Sequence, residues 1–222
     1  VLKVQNIMKD KIVLFDLDGT LIDSTQAVYE GICKACESLN HPTPSYEKVS
    51  LQIGHTLEDM FKTFNVESPK IPEFIAIYRE HYGKICIPKT HLLNNAQQAI
   101  TEAYSFAHLG VVTTKTGKYS KIILEHLKVL EYFTCVIGRE DVKEAKPSAE
   151  PILLALKSMP KDITKNHIYM IGDTPLDIQA ANNANIQSIG VLSGYASLEL
   201  LQSYTSCIVK DSLEAVRKIQ TL

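Results

Sequence analysis

Residues Lys11-Ile-Val-Leu-Phe-Asp-Leu-Asp-Gly-Thr-Leu21 place a short apolar run directly before two carboxylates, Asp16 and Asp18, and a glycine. Aspartate is unfavourable in strands and costly to bury, so such a pair requires a cation, a donor network or a chemical task. In an open parallel sheet, ligands bind at the carboxyl ends of the strands. An ordinary Asp-Gly turn is the alternative, but the chain after Leu21 does not continue as a hairpin strand. The segment therefore predicts a functional site at the end of a buried strand.

The composition is that of an ordinary globular enzyme. The 222 residues are 45% hydrophobic and 22% charged, enough for one domain with an insertion or for two small domains. The 23 basic and 25 acidic residues give a net charge of −2 without a long run of either sign, which argues against a nucleic-acid partner or a membrane surface. No apolar run approaches the roughly 20 residues that span a bilayer.

The start of the chain carries no apolar signal core after its first lysine, so the cytoplasm is the expected compartment. Met8 is a candidate natural start, which would make Val1 to Ile7 an upstream extension. The sequence leaves that question open.

Two patterns divide the chain. From Leu92 onward, helices such as 94–108 alternate with short apolar runs such as 109–113, which predicts a parallel sheet covered on both faces. Between Ser24 and about Pro88 only helical patterns occur, and they predict helices at 25–39, 46–52, 56–65 and 72–86. The expected fold is α/β: a Rossmann-like parallel sheet core, residues 1–23 and 89–222, with an inserted α-helical cap, residues 24–88.

Four segments bring polar groups to one edge of this sheet: Asp16, Asp18 and Thr20; Thr113 or Thr114; Lys146; and Asp173 with Asp177. Carboxylates that converge in this way would raise one another's pKa unless a cation were present. Ligands that are all oxygen favour a hard ion, and Mg²⁺ suits a site shared with phosphate. The lysine and a threonine hydroxyl could then hold the oxygens of a transferring phosphoryl group.

These motifs resemble the haloacid dehalogenase superfamily of phosphotransferases. DLDGTL at 16–21, the threonine at 113, Lys146-Pro147 and GDTPLD at 172–177 occur in the family's order and cover nearly the whole chain. The helical insert resembles the family's C1 cap, and the sequence around the motifs is most similar to that of phosphoglycolate phosphatase-like members. Two positions depart from the pattern, Thr114 in place of a common asparagine and Asn185 in place of a usual glycine.

The resemblance implies a role for each motif. Asp16 would attack phosphorus and form an aspartyl phosphate, while Asp18 would protonate the leaving alkoxide and later activate water. Mg²⁺ would be held by Asp16, the backbone carbonyl of Asp18 and Asp173, with Asp177 in support. The phosphoryl oxygens would be bound by Thr113, Thr114 and Lys146.

The implied activity is a Mg²⁺-dependent phosphatase acting on a small phosphorylated metabolite, with 2-phosphoglycolate the leading substrate and pyrophosphate or a sugar phosphate next. The cap would set that choice through His55, Arg79 and Lys84. The cap would open to admit substrate, and the mobile linkers that join it to the core would lie near Ser24 and Pro88. A monomer or a homodimer is expected.

Three alternatives stay open. A phosphomutase of the β-phosphoglucomutase type shares the core and cap, but its first motif has valine where this chain has Thr20. An inorganic pyrophosphatase could use the same fold. A phosphoaccepting signalling module would share the acidic site, yet such modules are shorter and lack the helical insert.

Overall fold

The computed structural model describes residues 9–222. Residues 1–8 lie outside the described residues. The candidate start at Met8 and the segment Val1 to Ile7 ahead of it therefore lie outside them as well. The described residues form eight strands: β1 Lys11–Phe15, β2 Ile22–Asp23, β3 His91–Leu92, β4 Ala107–Val112, β5 Phe133–Ile137, β6 Ile168–Gly172, β7 Gln187–Val191 and β8 Ile208–Val209. Six of them form one parallel sheet in the order β5-β4-β1-β6-β7-β8, and β2 and β3 form a separate antiparallel pair.

Within residues 9–222, ten α-helices surround the strands. Four of them, α1 Thr25–Ser38, α2 Tyr46–Ser50, α3 Leu57–Thr63 and α4 Ile71–Ile85, lie between β2 and β3 along the chain. The other six are α5 Ala96–Phe106, α6 Gly117–His126, α7 Glu150–Lys157, α8 Pro175–Ala184, α9 Leu198–Gln202 and α10 Ser212–Gln220. The predicted α/β class with a Rossmann-like sheet and a helical insert is confirmed.

The central strand explains why its sequence is apolar without alternation. Successive side chains of a strand point to opposite faces, and in β1 they enter two different cores. Val13 and Phe15 belong to one buried cluster, whereas Ile12 and Leu14 belong to the other. Helices cover both faces of the sheet, so both sets are buried.

The inserted helices pack on one another largely through α1 and α4, and their buried side chains belong to the same cluster as Val13 and Phe15 of β1. Gly31 of α1 lies against the ring of Tyr78, and a Cβ at this glycine would come within 2.6 Å of that ring. The missing side chain therefore lets the two helices approach closely. Phe61 and Phe74 pack edge to face beneath them, with ring centroids 5.3 Å apart.

The structure differs from the sequence-based expectation at several boundaries. The helix expected at 94–108 ends at Phe106, because Ala107 and His108 already pair with Lys11 and Ile12 of β1. The pairing of β2 with β3 and the short helix α9 were not predicted. Strands of two residues leave no periodic pattern, and their pairing depends on partners that are distant in the sequence.

The sheet topology brings three strand ends together. β1 lies between β4 and β6, and all three run parallel. Asp16, Thr113 and Asp173, the residues that follow these strands, therefore emerge at the same edge. No helix within residues 9–222 combines the length and the apolar character needed to cross a membrane.

Candidate active site

A buried lysine ties two of the carboxylates together. Lys146 Nζ donates to Asp16 Oδ1 at 2.7 Å, to Asp177 Oδ1 at 2.5 Å and to the carbonyl oxygen of Val112 at 3.0 Å. The lysine and both aspartates are almost completely buried. Among the described residues, no hydrogen bond engages the second oxygen of Asp16, Oδ2. Asp16 is thus held in place through one oxygen and has the other available for chemistry.

Three carboxylates converge around this point. Oxygens of Asp16, Asp173 and Asp177 lie within 4.8 Å of one another, and all three residues are buried. Burial raises the pKa of Asp16 to about 7, although the nearby charge of Lys146 acts in the opposite direction. Burial, together with the charges of Asp16 and Asp177, raises the pKa of Asp173 well above its ordinary range. A single lysine does not fully compensate three buried acids.

The residues around Asp173 and Asp177 orient their oxygens. Thr20 Oγ1 donates to Asp173 Oδ1 at 3.1 Å, and the backbone N–H of Tyr195 donates to Asp173 Oδ2 at 2.9 Å. Asp177 Oδ2 accepts from the backbone N–H and the hydroxyl of Thr174, at 3.0 and 2.7 Å. Both oxygens of Asp177 therefore have protein donors, which suits a supporting role behind the other two acids.

The donor set fits a hard divalent cation. It consists of carboxylates only, and no cysteine or histidine of the described residues belongs to the cluster. The raised pKa values of Asp16 and Asp173 mean that their ionised forms lack compensating positive charge, which a dication would supply. Oxygen ligands in this number are typical of Mg²⁺ sites that keep coordination positions for water and phosphate.

Asp18 points away from the three-acid cluster and toward the helical insert. Ser24 Oγ donates to Asp18 Oδ1 at 2.5 Å, and Lys115 Nζ forms an ion pair with Asp18 Oδ2 at 3.1 Å. Lys115 Nζ also donates to the hydroxyl of Tyr82 on α4 at 2.9 Å. One carboxylate of the first motif thus belongs to the acidic cluster, and the other contacts the cap.

The two threonines predicted to bind phosphate occupy different environments. Thr113 is buried at the end of β4, and its hydroxyl oxygen accepts from the backbone N–H of Lys115 at 3.1 Å. Thr114 donates its hydroxyl to the carbonyl oxygen of Gly54, in the cap, at 2.8 Å. The structure therefore places Thr113 beside the acidic edge and uses Thr114 as a contact between core and cap.

A cleft between cap and core opens onto Asp18. His55, Arg79 and Lys115 are among its lining residues. Of the three cap residues singled out from the sequence, Lys84 does not line this cleft. Its side chain is 67% exposed and pairs with Glu80 on the same helix.

Sequence reasoning missed Lys115, Ser24, Tyr82 and Tyr195. Lys115 had a usable signal, because it follows Thr113 and Thr114 at the end of a strand that was already assigned to the site. Tyr195 had a weaker one, the Gly-Tyr pair after β7. Tyr82 had none, since its position at the site depends on how α4 packs over the core.

Comparison with known proteins gives a consistent result. The family model described as haloacid dehalogenase-like hydrolase matches residues 13–191. The chain is 28% identical over 234 aligned positions to a phosphoglycolate phosphatase of Salmonella typhi, covering 95% of this chain and 91% of the relative. It is 31% identical over 202 positions to the pyrophosphatase PpaX of Bacillus mycoides, covering 86% of this chain and 89% of the relative.

Solved structures agree with the fold. The haloacid dehalogenase-like family protein SP0104 of Streptococcus pneumoniae superposes with a TM-score of 0.85 at 26% identity, covering 96% of this chain and 99% of its own. A Clostridium acetobutylicum protein described as a predicted phosphatase gives the same TM-score and the same coverage of both chains, at 28% identity.

Proposed function

This chain belongs to the haloacid dehalogenase-like hydrolases, and we propose that it is a Mg²⁺-dependent phosphatase of small phosphomonoesters, with 2-phosphoglycolate as its leading substrate. The observation that carries the proposal is the arrangement around Asp16. This carboxylate is buried, fixed through Oδ1 by Lys146, and grouped with two further acids. The similarity to phosphoglycolate phosphatases over nearly the whole chain supports the substrate class.

In the proposed reaction, Asp16 Oδ2 attacks phosphorus and the bond from phosphorus to the ester oxygen breaks, which leaves an aspartyl phosphate. Asp18 gives its proton to the departing alkoxide. The same carboxylate then takes a proton from a water molecule as that water attacks phosphorus and frees Asp16. Asp18 lies at the cleft and outside the acidic cluster. This position suits the role of the acid, because the leaving group must depart on that side.

Thr113 would hold a phosphoryl oxygen, and Lys146 would do the same by exchanging one of its three acceptors for it. Lys146 also keeps Asp16 in one orientation. Asp16, Asp173 and the backbone carbonyl of Asp18 would hold Mg²⁺, which neutralises charge on the phosphoryl group when it is bound. Asp177 supports this site from behind. A small phosphorylated metabolite is the proposed partner, and the cytoplasmic location and the monomeric or dimeric state stay predictions.

A second candidate, inorganic pyrophosphatase activity, is favoured by the similarity to the Bacillus mycoides enzyme. A phosphomutase would use the same acids but return the phosphoryl group to a sugar.

One screen separates the candidates. Phosphate release is measured with 2-phosphoglycolate, pyrophosphate and glucose 1-phosphate, with and without Mg²⁺. The proposal expects Mg²⁺-dependent release, fastest from 2-phosphoglycolate. Conversion of glucose 1-phosphate into glucose 6-phosphate without free phosphate would indicate a mutase, and a stable phosphoprotein without turnover would indicate a signalling module.

A further inference from the structure

The cleft between cap and core is lined by more cationic than acidic side chains. Its lining residues include the cations Lys115, Arg79 and Arg139 and the acids Asp18 and Glu58. The ammonium group of Lys115 is already paired with Asp18. Arg79 and Arg139 are the two remaining cations among these lining residues.

Arg139 lies directly beside Lys115. It begins the 3-10 turn Arg139–Asp141, and its backbone N–H donates to the carbonyl oxygen of Lys115 at 3.0 Å. Its Nη1 donates to the carbonyl oxygen of Val142 at 3.1 Å. Its Nε is buried and has no acceptor among the described residues. A buried donor of a charged group without an acceptor is costly, so the hydrogen-bonding capacity of this guanidinium is not fully used by its own surroundings.

Arg79 reaches the cleft from the cap. The hydroxyl of Tyr119 donates to its carbonyl oxygen at 2.7 Å, which fixes this turn of α4 against α6. Neither Arg79 nor Arg139 has a carboxylate within ion-pair distance in the part of the chain that the structure describes. The nearby Glu140 is already bound by the backbone N–H groups of Gly117 and Lys118.

We propose that Arg79 and Arg139 bind a second anionic group of the substrate, a carboxylate on the short carbon chain of the leaving alcohol. This inference rests on the proposed function, in which Asp18 protonates the leaving oxygen. The remainder of the substrate must then extend from Asp18 into the cleft that Arg79 and Arg139 line. A planar guanidinium matches a carboxylate through paired N–H donors. One arginine comes from the cap and one from the core, so such a substrate would also hold the cleft closed.

The test compares two phosphate esters of the same chain length, 2-phosphoglycolate and ethyl phosphate, which differ in the carboxylate. The measured quantity is the ratio of their kcat/KM values. The wild-type protein should favour 2-phosphoglycolate at least about a hundredfold, because charged hydrogen bonds are worth roughly a factor of ten or more each. Arg79→Gln and Arg139→Gln should each lower the ratio about tenfold.

Arg217→Gln is the matched control. This arginine lies on α10, pairs with Glu102 at 2.9 Å and is 55% exposed, so its replacement should leave the ratio unchanged. Circular dichroism establishes that each variant is folded, and if Arg139→Gln is not, Arg79→Gln on the cap carries the test.

The outcomes separate this inference from the function on which it rests. Hydrolysis of both esters at similar kcat/KM, or a ratio that both variants leave within twofold, overturns the carboxylate site and leaves a phosphatase. A loss confined to pyrophosphate hydrolysis would assign the arginines to a second phosphoryl group and also overturn it. Hydrolysis of neither ester would count against the proposed function itself, and the inference would fall with it.

Discussion

Lys115 Nζ lies 3.1 Å from Asp18 Oδ2, and each side chain is only 8% exposed. The same ammonium group donates to the hydroxyl of Tyr82 on the cap helix α4. Ser24, the first residue of the cap, donates to the other oxygen of Asp18. The carboxylate proposed as the acid and base is thus held jointly by the core and the cap, so cap closure and the orientation of Asp18 are structurally linked.

Replacing Lys115 with methionine tests this link. We expect kcat to fall about tenfold or more, because general acid–base catalysis contributes roughly 10²- to 10⁴-fold and requires an oriented group. KM should change less, because Lys115 is paired with Asp18 and is not one of the residues proposed to bind the phosphoryl group. Steady-state kinetics measures both constants. Lys118→Met, at an exposed position on α6, is the control, and an unchanged kcat for Lys115→Met would show that Asp18 does not depend on the ion pair.

Lys146→Met should strongly destabilise the metal-free protein at pH 7. The substitution leaves two buried carboxylates, Asp16 and Asp177, without their cation, and removing one partner of a buried ion pair costs about 3–5 kcal/mol. Urea unfolding measures the change in the free energy of unfolding. Lys121→Met, also exposed on α6, should change it very little. If Lys146→Met lowers the free energy of unfolding by less than about 1 kcal/mol, Lys146 does not compensate the buried charges of Asp16 and Asp177 as proposed.

Mg²⁺ should stabilise the protein more at pH 8 than at pH 6. The pKa of Asp16 is raised to about 7 from 3.8, and that of Asp173 is also raised. The folded state therefore keeps these protons where the unfolded state has lost them. The stabilising contribution of Asp16 is complete below about pH 4 and is lost as the pH rises through 7.

At pH 8 the metal-free protein holds an ionised Asp16 that Mg²⁺ can compensate, whereas at pH 6 the ion must first displace a proton from it. Thermal unfolding with and without Mg²⁺ at the two pH values measures the difference. An equal rise in Tm at both would show that the acids are ionised without the metal.

Gly194→Ala should weaken Mg²⁺ activation. A Cβ at this position would lie 2.0 Å from Asp173 Oδ2, so the carboxylate would have to move. Displacing a metal-ligand carboxylate from its supporting contacts typically costs about 10- to 100-fold in metal affinity. The Mg²⁺ concentration for half-maximal phosphate release measures this. Gly190→Ala is the control because its Cβ would meet only ordinary contacts at 3.5 Å, and equal activation by both variants would contradict the role given to Asp173.

The sequence predicted the residues at the strand ends of the site better than the residues that line the cleft. Asp16, Thr113 and Asp173 could be placed together because each ends a strand of a parallel sheet, and strand ends follow from local apolar runs. The groups around Asp18 depend on packing between distant segments. Arg79 and Lys84 are both basic residues of α4, yet Arg79 lines the cleft and Lys84 pairs with Glu80 in solvent. The direction in which a helix face points is set by its tertiary contacts, which local sequence does not contain.

Asp16 is the proposed nucleophile. The direct measurement is acid quenching of the enzyme during turnover of 2-phosphoglycolate, reduction with borohydride and peptide mass spectrometry, because borohydride reduces an aspartyl phosphate to homoserine. Homoserine should form at position 16 alone, and Asp16→Asn should abolish both this product and phosphate release while remaining folded. Homoserine at another aspartate, or full turnover by Asp16→Asn, would contradict the assignment.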